Sequence, residues 1–322
     1  MASRQSAQFK LFAGNSNRPL AEAIASHLGM ALGKAIVDRF PNGETHVEVM
    51  EPVRGQDVYV LQSLSPPAND HLMEMMLLFD ALKRASAQSI TAVVPYFGYS
   101  KQDKRKIGRE PISAKVVANM LTSAGIDRLI TFDLHATQIE AFFNIPVDNL
   151  PTVSFFAKHL EKSFRRGKGE CVIVSPDAGR LKTARKFAGV LNCGIAVVDK
   201  YRESYKTVKV MHLLGDVKGK HALIIDDMID TGETIAAAAD TVRKHGTKSV
   251  AICATHAILT PPAVERLTAI GAEVLTTDTI AIPKEKRFRG LTVLSLAPLL
   301  AEVIRRIEER KPLSPLFEPV AF

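Results

Sequence analysis

The chain has 322 residues, 46% of them apolar and 24% charged, enough to bury a sizeable core and to form two domains. No run approaches the roughly 20 apolar residues of a membrane span, and the polar stretch 1–10 lacks the apolar segment of a signal peptide, so a cytoplasmic protein is expected. The formal charge of +8 suits nucleic acid or a polyanionic small substrate, but no block of like charge, interleaved aromatics or helix-turn-helix pattern supports nucleic acid.

Short runs rich in Val, Ile, Leu and Ala alternate with segments of helical period, the pattern of parallel sheets covered on both faces. Strands are expected at 9–13, 57–62, 90–95, 129–133, 172–175, 194–198, 222–226, 250–255, 273–275 and 292–294. A helix beginning near Asn69 repeats Leu72, Met75, Met76 and Phe79 at i, i+3, i+4 and i+7. A second, over 112–124, puts Val116, Val117, Met120 and Leu121 on one face and stops at Gly125. The last, over 299–309, carries Leu300, Val303, Ile304 and Ile307. These stripes are core. The alternation continues through both halves, with a seam where the chain passes Pro146, Asn149, Leu150 and Pro151. The expected fold class is therefore α/β, as two doubly wound domains with mainly parallel sheets, 1–150 and 151–297. Cys171, Cys193 and Cys253 lie in or beside apolar segments without zinc or disulfide spacing, and are expected to be reduced core residues.

In such sheets ligands bind beyond the carboxyl ends of the strands, so the polar clusters there carry the chemistry. A turn-like string Arg39, Phe40, Pro41, Asn42, Gly43, Glu44 comes first. After 90–95 the chain reads Pro95, Tyr96, Phe97, Gly98, Tyr99, Ser100, Lys101, Gln102, Asp103, Lys104, Arg105, which alone is a basic loop. Asp133, Leu134, His135, Ala136 follow one strand, and Ser175, Pro176, Asp177, Ala178, Gly179 follow another. Then come Asp199, Lys200, Tyr201, Arg202, Glu203, which alone would be an exposed hairpin. The strongest cluster is Asp226, Asp227, Met228, Ile229, Asp230, Thr231, Gly232, Glu233, Thr234. Two carboxylates at a strand end can accept hydrogen bonds from the 2- and 3-hydroxyls of a ribose, while loop amides and a helix N-terminus hold its 5-phosphate. Asp230 and Glu233 also have the spacing of a capping box.

The 226–234 stretch resembles the motif shared by phosphoribosyltransferases and ribose-phosphate pyrophosphokinases, and the other clusters favour the pyrophosphokinases. The resemblance runs in order from Phe9 to Phe317. It implies two phosphoribosyltransferase-like domains, with the last helix, 298–310, returning to the first. Phe40, Asn42, Gly43 and Glu44 would hold adenine, Phe40 by stacking and Asn42 and Glu44 by hydrogen bonding. Lys101, Gln102 and His135 would serve the ATP phosphates. Asp226, Asp227, Asp230, Thr231, Gly232, Glu233 and Thr234 would bind ribose 5-phosphate, together with Arg202. Lys200 and Arg202 would be catalytic, since phosphoryl transfer depends on cations placed where charge develops. Mg2+ is the implied cofactor. It prefers oxygen ligands and keeps several waters, so Asp177 is the better direct ligand and His135 acts partly through water or on a phosphate oxygen. The family implies a homo-oligomer, a dimer or a homohexamer, whose active sites are shared between subunits. Departures from its pattern are Lys101, where arginine is usual and the bidentate fork is lost, Tyr201, Glu233, and the Pro261, Pro262 pair. A phosphoribosyltransferase would leave the adenine motif and one domain unused. A non-catalytic synthetase-associated subunit is opposed by the presence of Lys200, Arg202, His135, Asp177 and both aspartates. There is no Walker A string, since Gly246, Thr247, Lys248, Ser249 lacks the upstream glycine.

Overall fold

The computed structural model describes residues 9–164, 170–201 and 210–317. These divide into two compact units. One contains the described part of Met1–Leu150 with Thr279–Ala281 and Ser295–Pro312, and the other contains the described remainder.

In the first unit, β1 (Phe9–Ala13) leads through α1 (Arg18–Leu28) to a hairpin of β2 (Ala35–Arg39) and β3 (Thr45–Val49). Then follow β4 (Asp57–Leu61), α2 (Ala68–Arg84), β5 (Ser89–Val94), α3 (Ser113–Ala124), β6 (Arg128–Phe132) and β7 (Val147–Leu150). The main sheet is parallel throughout, in the order β1-β4-β5-β6-β7. Alternate strand residues point to opposite faces, and both faces are apolar. Phe12, Val58, Val60, Ala92 and Val94 pack with α2 and α3, while Leu11, Tyr59, Leu61 and Ile130 are equally buried. Tyr59 Oη donates to Glu308 Oε1 at 2.8 Å, tying the sheet to the chain's last helix. Local signals set the helix ends: Asn17 Oδ1 accepts from the Leu20 amide at 3.4 Å, and Gly29 and Gly125 close α1 and α3 in the left-handed conformation.

The second unit runs α4 (Val153–Phe164), β8 (Cys171–Ser175), α5 (Leu181–Leu191), β9 (Gly194–Tyr201), β10 (Val210–Leu214) and β11 (His221–Ile229). It continues with α6 (Glu233–Lys244), β12 (Ser249–Ala257), α7 (Ala263–Ile270), β13 (Glu273–Thr277) and β14 (Leu291–Leu294), before α8 (Ala297–Glu308) rejoins the first unit. Its seven strands are ordered β10-β9-β8-β11-β12-β13-β14, and β10 alone among these described strands is antiparallel to its neighbour. Val172, Val174, Ala222 and Ile224 pack on one face with α6 and α7; Ile173, Leu223 and Ile225 pack on the other with α4 and α5. From β8 the chain builds outward to β9 on one side, then returns to add β11 on the other. The gap between β8 and β11 is therefore a topological switch point, where open α/β sheets bind ligands beyond the strand ends.

All ten expected strands are present, several longer than expected, and β2, β3, β7 and β10 were not anticipated. Within the stretch read as a seam, Pro146 to Pro151, residues Val147–Leu150 form the edge strand β7, and the division between the units falls after Leu150. The stripe of α3 needs correction: Val117 and Leu121 are buried, but Val116 is 50% exposed. Adjacent helical residues diverge by about 100°, and Ala114 and Ala118 share the core face instead. The cysteines need correction too. Cys253 is a buried thiol, as expected, but Cys171 and Cys193 form a disulfide. Val172 pairs with Gly194 in parallel register, so the two cysteines, each one residue earlier, are brought side by side by strand pairing that sequence spacing does not reveal.

Candidate functional site

A cluster of charged side chains lies at the switch point of the second unit. Asp177 follows β8 and caps a single helical turn, its Oδ1 accepting from the Arg180 amide at 3.1 Å. Asp226 and Asp227 lie within β11, which continues three residues past the end expected from its apolar run because its pairing with β12 extends to Ile229. The Asp226 Oδ1 accepts from the Asp227 amide at 2.8 Å. A single guanidinium spans both carboxylates, with Arg180 Nη2 at 2.8 Å from Asp227 Oδ2 and Nε at 3.4 Å from Asp226 Oδ1. Burial, then the charge of Asp227, hold the Asp226 carboxyl well above the ordinary carboxylate range, with Arg180 pulling the other way. Two carboxylates side by side in a poorly solvated place are costly to ionise, and perturbed pairs of this kind cluster at functional sites.

The chain then turns through residues 230–234 into α6. Its carbonyls are pinned from neighbouring segments: Asp230 O accepts from the Thr260 amide at 3.0 Å, and Thr231 O from Arg266 Nη1 at 2.8 Å. Gly232 is the helix N-cap with φ 73°, a left-handed conformation that a side chain would strain. The capping-box expectation is therefore corrected: the helix starts at Glu233, in its first position, and Asp230 lies outside it. An acidic residue in a first turn still suits the helix dipole. Backbone amides of such a loop and of a helix N-terminus can cradle an anion, and here they lie next to the two carboxylates.

In the first unit, the loops after the neighbouring strands β5 and β6 lie together. Gln138 Nε2 donates to Asp103 Oδ2, linking the loop that bears Lys101 and Gln102 to the turn just beyond His135. Gln102 accepts from Ser113 Oγ through its side chain and from the Ala114 amide through its carbonyl at 3.2 Å, fixing it at the start of α3. Gly98 has no alternative there, because a Cβ would collide with the Leu64 carbonyl oxygen. Tyr99 and Asp133 have φ of 64° and 34°, and left-handed backbone at non-glycine residues concentrates at binding loops. Phe40, Asn42, Gly43 and Glu44 form the turn of the β2–β3 hairpin. Asn42 Oδ1 accepts from the Glu44 amide at 3.1 Å, and Phe40 is 48% exposed, its ring 4.7 Å from that of His46. An exposed phenyl on a fixed hairpin is a stacking platform.

The expected residues thus fall into two groups, one in each unit. Lys200 lies near the end of β9, its backbone paired with Met211, and Arg202 is outside the described residues. Among the described residues, no group of three or more His, Cys, Asp or Glu could hold a metal ion. Arg180 is the residue that sequence reasoning missed. A lone arginine at the start of a helix reads as a solvated face, and only the adjacency of β8 and β11 puts it on the aspartates.

Two family models match the chain: the N-terminal domain of ribose phosphate pyrophosphokinase over residues 9–125, and the phosphoribosyl synthetase-associated domain over 201–318. The ribose-phosphate pyrophosphokinase of Fusobacterium nucleatum is 46% identical over 309 residues, covering 96% of this chain and 98% of that protein. Ribose-phosphate pyrophosphokinase 1 of Lactococcus lactis is 47% identical over 311 residues, 96% of each chain. Among solved structures, phosphoribosylpyrophosphate synthetase from Mycobacterium smegmatis matches with a TM-score of 0.89 at 44% identity, covering 94% of this chain and 99% of that one.

Proposed function

Since the chain belongs to the ribose-phosphate pyrophosphokinase family, we propose that it transfers the β,γ-pyrophosphoryl group of Mg-ATP to the 1-hydroxyl of ribose 5-phosphate. The products are 5-phosphoribosyl 1-pyrophosphate and AMP. The observation that carries this reading is the buried pair Asp226 and Asp227 at the switch point, leading directly into a pinned loop and the N-terminus of α6. The pair accepts the 2- and 3-hydroxyls, and the loop 230–234 holds the 5-phosphate. The 1-hydroxyl oxygen then attacks the β-phosphorus in line. The bond from that phosphorus to the α-phosphate oxygen breaks, AMP leaves, and the hydroxyl proton passes to solvent.

On the nucleotide side, Phe40 stacks on adenine, Asn42 and Glu44 meet its edge, and Lys101, Gln102 and His135 serve the phosphates. Lys200 and Arg202 stabilise charge on the group in transit. Mg2+ neutralises the phosphates when bound. The Asp177 carboxylate, a hard oxygen donor beside the switch point, would suit that ion, and His135 in the first unit would serve a phosphate oxygen or a bound water. The enzyme works as a cytoplasmic homo-oligomer, a dimer or hexamer with shared sites, in nucleotide biosynthesis.

The test is direct. Purified protein with Mg-ATP should release AMP when ribose 5-phosphate is added and not without it. AMP that never forms, at any concentration of inorganic phosphate, would overturn the reading. Glu233 provides a narrower check. From the first position of α6 its side chain serves the helix, so Glu233→Gly should leave or improve ribose 5-phosphate affinity and lower the melting temperature slightly. A large loss of affinity in titration calorimetry would assign the carboxylate to the ligand.

A further inference from the structure

The guanidinium of Arg180 lies where the proposed sugar hydroxyls must go. Its Nη2 and Nε reach the two carboxylates at 2.8 and 3.4 Å, and the side chains of Arg180, Asp226 and Asp227 are only 13%, 13% and 6% exposed. A charge-assisted contact shielded from water is far stronger than a surface ion pair. Each carboxylate oxygen it engages is an acceptor that a ribose hydroxyl would otherwise use. Arg180 also stands at a junction between two elements. It closes the three-residue turn Ala178–Arg180 and precedes α5, with its amide bonded to Asp177 Oδ1 and to the Asp177 carbonyl at 3.4 Å. Rotation of its side chain therefore need not disturb the strand or the helix.

We propose that Arg180 guards the sugar site, acting as counter-ion to Asp226 and Asp227 and yielding them to the hydroxyls of ribose 5-phosphate on binding. This rests on the activity proposed above. The guard offsets the charge of a poorly solvated acidic pair, and it makes the sugar compete for its own acceptors. A site open in about one molecule of ten binds roughly tenfold more weakly than one always open.

The experiment is titration calorimetry of ribose 5-phosphate into the full-length wild type, Arg180→Met and Arg180→Lys, each also in an Asp227→Asn background. Methionine keeps the bulk of the stem and removes the charge, so Arg180→Met should bind about tenfold more tightly. Lysine keeps a charge without the fork and should show a smaller gain. With Asp227→Asn the guard has lost its nearest partner, so the gain from Arg180→Met should largely vanish; a purely structural role for Arg180 would not produce that coupling. Unchanged or weaker binding by Arg180→Met with an intact melting transition overturns the guard and leaves the activity standing. Should that variant not fold, unchanged or weaker binding by Arg180→Lys overturns it instead. If the wild type binds no ribose 5-phosphate at all, the proposed activity fails, and the guard fails with it.

Discussion

Lys200→Ala is expected to lower turnover roughly 10²-fold or more while leaving the affinity for both substrates nearly unchanged. The reason is where the charge is needed. A pyrophosphoryl group in flight spreads negative charge over its equatorial oxygens, and a cation that meets those oxygens only at that stage lowers the barrier without tightening the ground state. Lys200 lies next to the last residue of β9, whose antiparallel partner is the edge strand β10. Steady-state kinetics with saturating ATP give the answer. A change confined to KM, with kcat preserved, would remove Lys200 from the catalytic role.

Asp226→Ala and Asp227→Ala are expected to fail in the opposite way, each weakening ribose 5-phosphate binding roughly 10- to 100-fold because a hydrogen bond to a charged acceptor is deleted. Unchanged sugar affinity in both would show that the pair has another task. The same residues should trade function against stability. Burial and the neighbouring charge raise the Asp226 carboxyl, so the folded chain holds a proton there that the unfolded chain releases. The sign follows from linkage: that contribution to stability is complete at acid pH and is lost as pH rises above the ordinary carboxylate value through the raised one. Asp226→Asn removes the cost and leaves Arg180 paired with Asp227, so its melting temperature should exceed that of the wild type at neutral pH. A lower one would show that the second carboxylate stabilises the empty site.

Buried strands were legible because they are continuous apolar runs, such as Val172 to Val174 or Leu223 to Ile225. The strands that were not legible are half-exposed hairpins or sheet edges. β2 and β3 carry Asp38, Arg39 and Glu48 on solvent-facing positions, and β7 holds Asp148 and Asn149. Their pairing is decided by neighbours rather than by their own hydrophobicity. The clusters at strand ends could be found because topology places ligands there, and the aspartate pair was visible as charge beside an apolar run. Arg180 was hidden because its meaning depends on strand order, with β8 next to β11 although the helix α5 and two further strands separate them in the chain. The disulfide was hidden for the same reason, because it follows from the register of β8 on β9.

The return of α8 to the first unit has a consequence for biosynthesis. Leu300, Val303 and Ile304 are buried, α8 packs on α1, and Glu308 accepts from Tyr59 of β4. Yet the first unit's main sheet is complete by Leu150, and the helix is not made until Ala297. On a translating ribosome that interval lasts on the order of ten seconds. Throughout it the nascent first unit lacks α8 and presents an unfinished apolar face. Completion of the first unit in this chain therefore cannot precede synthesis of the second. Its first half must wait for its second to be synthesised, and that pause is when a chaperone would find it most exposed.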